Sequence, residues 1–346
     1  PWRNSLSRYA ETMTVFAVCV SGIFPILHLG RPWFFYWLIP YPNARELWVN
    51  FRSPLIWDVF AITTYLTVSV MFLYLGLMPD LAAARDRITD WRRQVYRVLS
   101  LGWLGTDRQW RHYMALYGFF AALATPLVVS VHSVVSWDFA VSILPGWHST
   151  IFAPYFVAGA IFSGLAMVIT LLVPLRRMLR LESYIRVHHF ENLAKLMLMT
   201  SLIVSYAYMV EFFIAWYSGS PFEQGTFYDR MFGQYWAYSW TMFTCNVFVP
   251  LLLFAKAIRT NLRALFVISI FVNIGMWLER FYLIVPAIER KQELTFLWSN
   301  YVPSLVESTI VLASFGMVAM LLIIFAKFAP LVPMWEQKES QVFRAE

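Results

Sequence analysis

Cysteine and charge are what this chain of 346 residues has least of. Its two cysteines, Cys19 and Cys245, fall inside apolar stretches and form neither a disulfide framework nor a C-x-x-C metal motif. We read them as packing residues. With no cysteine cluster for iron–sulfur and only six histidines, too few of them suitably placed for a haem stack, the chain is expected to hold no redox metal of its own. Charged residues make up 14% of the chain against 60% hydrophobic and 18% aromatic, which excludes an ordinary soluble domain. A signal-sequence pattern is missing as well. Because the chain opens on Pro1 rather than Met, we expect it to begin partway into a longer protein, with further helices upstream.

What fills the chain is apolar sequence in long runs. A membrane crossing takes about 20 such residues, and helices are expected near 6–29, 55–78, 112–136, 151–175, 191–217, 232–256, 263–286 and 303–327. The expected fold class is therefore all-α, a polytopic membrane protein with eight transmembrane helices in a single membrane domain. Residues 1–136 would form part of a first helix bundle, 151–286 a second four-helix bundle, and 303–346 the last helix and a tail.

Lysine and arginine give the orientation, since translocated loops are depleted in them. The N-terminus, 79–111, 174–195, 256–263 and the tail from Lys327 together hold twenty; the opposite loops hold six, Arg31, Arg45, Arg52, Arg230, Arg290 and Lys291. Both termini are expected in the cytoplasm. The net charge of +7 then reflects orientation and contact with lipid headgroups, with no need for nucleic acid. Residues 80–100 alternate Arg and Asp with Leu81, Ile88, Trp91, Val95 and Val98, the pattern of an amphipathic helix along the cytoplasmic surface. The outer segments 30–53 and 138–150 are rich in aromatics that suit the membrane–water interface and a docking surface.

The ionisable residues inside the spans share a depth. His28 ends the first span outside and Asp58 begins the second there; His132 and Asp138 end the third, Glu211 lies in the outer third of the fifth, Glu279 and Arg280 in that of the seventh, and Glu307 begins the eighth. On the inner side Glu11 and Lys256 stand out. A charge in hydrocarbon costs roughly 2.5–3.5 kcal/mol on insertion scales, so such residues mark functional interiors or structural pairs. Both readings stay open for each. Asp58 could complement the positive end of its helix, and His28 could be an interfacial histidine with its ring in water. Glu279 and Arg280, being adjacent, are expected on different faces with separate partners, and Arg280 could pair with Glu211 or Glu307. Glu11 with Arg8 reads equally as a surface pair, and Lys256 as a snorkelling lysine.

A histidine and an aspartate at the edge of the hydrocarbon suit the oxidation of a lipid-soluble quinol, which releases two electrons and two protons. A neutral imidazole takes a hydroxyl proton, and a carboxylate holds the resulting imidazolium. The electrons would have to leave through a partner.

Five stretches carry a resemblance: Ile23–Trp33 (IFPILHLGRPW), Arg52–Asp58 (RSPLIWD), Val131–Ala140 (VHSVVSWDFA), Pro145–Phe152 (PGWHSTIF) and Trp277–Phe281 (WLERF). In these the chain resembles the polysulfide reductase membrane-subunit (NrfD-like) family along its whole length, and within it the quinol-oxidising ActC subunits of bacterial alternative complex III, with ActF as the paralogous choice. The resemblance implies ten helices, two more than are present here. It implies a menaquinol site at the periplasmic face, at His28 and Asp58, with menaquinol/menaquinone as substrate in a bacterial inner membrane. The implied partners are a periplasmic iron–sulfur subunit, other membrane subunits including a paralogous NrfD-like one, and a multihaem cytochrome c and terminal oxidase downstream. It further implies a proton path, for which His132, Asp138, Glu211, Glu279, Arg280 and Glu307 are the candidates, with Glu11 on the inner side. Two other classes compete with this reading. A proton-coupled secondary transporter would place its charged elements near the midplane, and a b-type cytochrome would need paired histidines, for which only His28 with His132 could qualify.

Overall fold

The computed structural model describes residues 6–28, 31–38, 53–290 and 301–336. They are predominantly helical, without a strand among them. Seven helical stretches are long and apolar enough to cross a membrane. The remaining expected span, 6–29, is helical but interrupted: α1 runs Ser7–Ser21, and α2 restarts over Phe24–His28 after a turn at Gly22 and Ile23. Pro25 accounts for the restart, because its missing N–H cannot continue the ladder of α1 yet suits the first turn of a new helix. A 3₁₀ turn over Pro32–Leu38 follows, and most of the aromatic segment 30–53 lies outside the described residues.

The chain divides into two compact units, residues 1–131 with 305–346, and residues 132–304. In the first, α3 (Pro54–Arg85) opens on Ser53-Pro54 and runs antiparallel to α1. Val15 of α1 packs with Leu73, Leu77 and Leu81 of α3 and with Tyr96 of the short surface helix α4 (Arg92–Leu99). The amphipathic expectation for 80–100 needs correction here. Residues 80–85 continue the spanning helix, and only 92–99 form the separate surface helix, which Tyr96 ties by a 2.6 Å bond to the Phe328 carbonyl. The helix α5 (Asp107–Ala140) passes from the first unit into the second.

The second unit is built on α6 (Phe152–Met178), α7 (Val187–Tyr217), the span Trp236–Phe254 and α10 (Leu262–Glu289), with α8 (Pro221–Phe232) beside one end. Phe162, Ile169, Phe190, Met197, Leu265 and Val272 are wholly or almost wholly buried in it. The span Trp236–Phe254 starts as α9 (Trp236–Phe243), widens into a π turn over Thr244–Phe248, and finishes through Val249–Leu251 and a 3₁₀ turn at Leu252–Phe254. Pro250 explains the widening. It has no N–H to offer the preceding turn, and the Val249 N–H reaches back five residues to the Thr244 carbonyl. The chain then returns to the first unit for its last described long helix, α11 (Leu305–Phe328).

Candidate functional site

Three groups of polar residues occupy these apolar units. The first is the His28–Asp58 end. Arg8 reaches Asp80 while Val15 packs on Leu73, so climbing α1 means descending α3. That antiparallel run carries α2, closed by His28, toward the N-terminal turns of α3, where Asp58 stands partly buried beside the exposed Trp57 and Phe60.

The second group lies at the other end of the first unit. Arg8 is fully buried; its guanidinium lies 3.1 Å from Asp80 and 3.9 Å from Glu11 and also donates to the Gly76 carbonyl. The surface-pair reading of Arg8 and Glu11 is thus overturned: the pair is interior, and Asp80, taken from sequence as part of a surface segment, is its main anion. Tyr117 of α5 donates to Glu11 at 2.9 Å and lies 3.4 Å from Glu336, which also accepts from Ser7 at 3.2 Å. Trp335 packs among Trp110, Tyr113 and Tyr117.

The third group is inside the second unit. Glu279 of α10 is completely buried and accepts a hydrogen bond from Tyr208 of α7, whose hydroxyl accepts in turn from Asn246 Nδ2 at 2.9 Å. Arg280 lies with its guanidinium 3.9 Å from the Phe156 ring centre and 3.5 Å from Glu279 Oε1. Neighbours in sequence therefore share one ion pair. The expectation of separate partners fails because the long arginine side chain bends back round its helix. Gly159 lies beside the pair, where a Cβ would be in ordinary contact with both head groups, at 3.7 and 3.8 Å, and crowd only Met276, at 3.1 Å. Glu211, one turn beyond Tyr208 on α7, is buried and faces Arg230.

Arg230 corrects a second expectation. Counted from sequence among the loop charges, it is completely buried, over the rings of Tyr282 at 4.8 Å and Phe227 at 5.3 Å, and donates to the Leu283 carbonyl at 3.4 Å. The segment Pro145–His148 closes over it: Gly146 has φ +78°, and Trp147 Nε1 donates to the same Leu283 carbonyl at 2.7 Å. The sequence reading put these aromatics at a docking surface, yet Trp147 turns inward and binds the bundle.

Further along the same unit, Asn273 donates to Thr170 at 2.9 Å, and Thr170 lies 2.8 Å from Ser269. Asn273 is six residues from Glu279 on α10, about 9 Å along the axis, so polar groups continue from the carboxylate toward the middle of the bundle. His132 and Asp138, both partly buried, share α5; six residues apart, they face different sides of it. Glu307 is exposed at the start of α11 and belongs to the first unit, whereas Glu211, Glu279 and Arg280 are in the second.

Sequence reasoning missed Asp80, Tyr117, Arg230, Tyr208, Asn246, Asn273 and Thr170. A signal existed for some of them. Asparagine in an apolar span is costly in the same way as charge, and Ser269, Asn273 and Glu279/Arg280 recur at helical spacing along one span.

A family model described as Polysulphide reductase, NrfD, matches residues 3–290. A protein of Halobacterium salinarum that bears the name of a dimethyl sulfoxide reductase membrane subunit is 30% identical over 167 residues, which is 48% of this chain and 34% of that protein.

Proposed function

From the premise that this chain belongs to the NrfD polysulphide reductase family, we propose that it is the quinol-binding membrane subunit of a respiratory quinol oxidoreductase. The alignment reaches about a third of the named relative's length, so the choice of complex is part of the proposal. The five sequence stretches favour the ActC type of alternative complex III, in a bacterial inner membrane with the termini of this chain in the cytoplasm. In this reading menaquinol is oxidised at the periplasmic face. Its electrons pass to an iron–sulfur subunit, which stands with a paralogous membrane subunit in one complex and upstream of a multihaem cytochrome c and a terminal oxidase.

The observation that carries the reading is a partly buried acid, Asp58, in the opening turns of α3 among Ile56, Trp57, Val59 and Phe60, at the end of the unit toward which α2 delivers His28. A carboxylate among apolar and aromatic side chains suits a ring carrying hydroxyl groups on a hydrocarbon tail. Quinol supplies two electrons and two protons. The chain's part is to take the first hydroxyl proton on the His28 imidazole, to hold the imidazolium against Asp58, and to exclude water with the aromatics beside Asp58.

The buried groups of the second unit suit proton handling. Glu211, Glu279 and Arg280, with His132, Asp138 and Glu307, are proposed as the path on the quinol side and Glu11 as the inner group. Thr170, Ser269 and Asn273 extend the polar lining beyond what those residues alone provide.

In the intact complex, His28→Ala and Asp58→Asn should each lower quinol oxidation by about 10²–10⁴, the usual worth of general base catalysis, with assembly and bound partners unchanged. Near-normal turnover in both variants would exclude this pair as the site. A chain acting only as a transporter would bind no quinol in either form.

A further inference from the structure

The π turn of the span Trp236–Phe254 puts an asparagine where an apolar residue would serve packing better. Asn246 is wholly buried; its Nδ2 donates to Tyr208, while its Oδ1 is buried without a hydrogen-bond partner. Tyr208 donates its single proton to Glu279. The three side chains thus form one line, with every hydrogen bond pointing from Asn246 toward the carboxylate.

That polarity belongs to an ionised Glu279, which can only accept. A protonated Glu279 can donate its O–H to the Tyr208 oxygen. The tyrosine O–H is then free to turn toward Asn246 and needs an acceptor there. An amide has its acceptor and donor at equal reach, so half a turn about Cβ–Cγ brings Oδ1 to Tyr208 in place of Nδ2. Neither orientation satisfies the amide fully: before the turn Oδ1 is unpaired, and after it the NH₂ loses its tyrosine. Gly275 leaves the room for this, since a Cβ there would stand 2.6 Å from that of Cys245 and closer still to the amide oxygen.

We propose that Asn246, Tyr208 and Glu279 form a reversible hydrogen-bond line whose direction reports and stabilises the protonation state of Glu279, with Asn246 as its rotating end. No covalent bond other than the carboxyl O–H is made or broken. One proton arrives at or leaves Glu279, the phenol hydroxyl rotates, and the amide turns. Asn246 is a positioning residue, acting on the carboxylate through Tyr208. The other groups facing this carboxylate are Tyr155 from α6, Glu211 from α7 with Arg230 of α8 beyond it, and Arg280 from α10. Of these, only Tyr155 is likewise an uncharged donor and acceptor, and it bonds the carboxylate directly rather than through Tyr208. The inference deepens the proton-handling reading of Glu279 and rests on it only for physiological use.

The test is infrared difference spectroscopy of the full chain in lipid nanodiscs, titrated with pH. Glu279→Gln identifies the carboxyl band. In the wild type, the appearance of that protonated-carboxyl stretch should coincide with a shift of a buried amide carbonyl band, as Oδ1 gains a hydrogen bond. Asn246→Leu should remove the amide signal and move the carboxyl midpoint by about one pH unit, tenfold in proton affinity. Tyr208→Phe should keep Asn246 in place but uncouple the two bands, which loss of packing alone would not do. A carboxyl band whose titration is the same in wild type, Asn246→Leu and Tyr208→Phe, or an amide band that stays still while Glu279 protonates, would overturn the proposal. Because no quinol takes part, a failure of the quinol assignment would leave this result unaffected.

Discussion

Removing either partner of the buried Arg8–Asp80 pair should destabilise the first unit far more than removing both. The charges are 3.1 Å apart and each side chain is 1% exposed, so deleting one strands the other in a low-dielectric interior. Breaking such a pair costs about 3–5 kcal/mol. Asp80→Leu leaves the guanidinium with Glu11 at 3.9 Å and the Gly76 carbonyl, and about 3 kcal/mol is expected, the low end of that range. Arg8→Met leaves Asp80 only backbone N–H groups, those of Met334 at 3.4 Å and of Trp335, and no cation, and the expected loss is nearer 4 kcal/mol. The double variant removes both charges and leaves Glu11 with the Tyr117 hydroxyl, so it should lie within roughly 2 kcal/mol of wild type, more stable than either single variant. If the losses simply added, it would lose about 7 kcal/mol. Equilibrium unfolding of the four proteins in bicelles gives the cycle directly. A double variant as unstable as the sum of the singles would show that the two side chains act independently, and the reading of a buried, mutually dependent pair would fail.

Gly275→Ala should cost about 1–3 kcal/mol through overpacking against the π turn, seen as a lowered unfolding midpoint and, by displacing Asn246, as a changed Glu279 carboxyl band. Gly146→Ala adds a side chain at φ +78° with its Cβ 3.0 Å from the Arg230 guanidinium. A loss of about 1–3 kcal/mol is expected for that strain, with a red shift in Trp147 emission as the segment lifts; an unshifted spectrum would show that it is not clamped. Glu11→Gln should leave quinol oxidation largely unchanged and lower proton translocation only if pumping occurs, so proton release per electron in vesicles, equal in mutant and wild type, would remove Glu11 from the path. Crosslinks to an iron–sulfur partner should map to 30–53 and the exposed residues of 138–150; crosslinks confined to the Arg-rich segments would refute the orientation.

Composition and run length made the spans legible, because twenty apolar residues have few other uses. The interruption at Gly22 and Ile23 was harder to see, since the residues there remain apolar while Pro25 resets the helix. Among site residues, depth counting singled out Glu211, Glu279 and Arg280, which the structure brings together in the second unit, and Glu307, which belongs to the first. Counting depth cannot say which face a residue occupies, so the Glu279–Arg280 pairing and the burial of Arg230 were invisible to it. Asp80 escaped because it begins a stretch crowded with exposed charge, and its partner is seventy-two residues away. Tyr208 and Asn246 escaped because an uncharged side chain stands out from an apolar run less than a charge does, although in a dry interior its hydrogen bonds are strengthened.

The π turn at Thr244–Phe248 amounts to one residue too many in an otherwise ordinary helix. Deleting a single residue there would restore regular winding, and the segment would remain as apolar and almost as long, so a translocon would treat it much as before. The side chains on either side would keep their faces, because the wide turn already absorbs the extra residue, but Asn246, inside that turn, would lose its place and be withdrawn from Tyr208. A one-residue gap inside an apolar span, easily dismissed as an alignment error, would in this chain separate a helix that merely inserts from one whose polar line is intact.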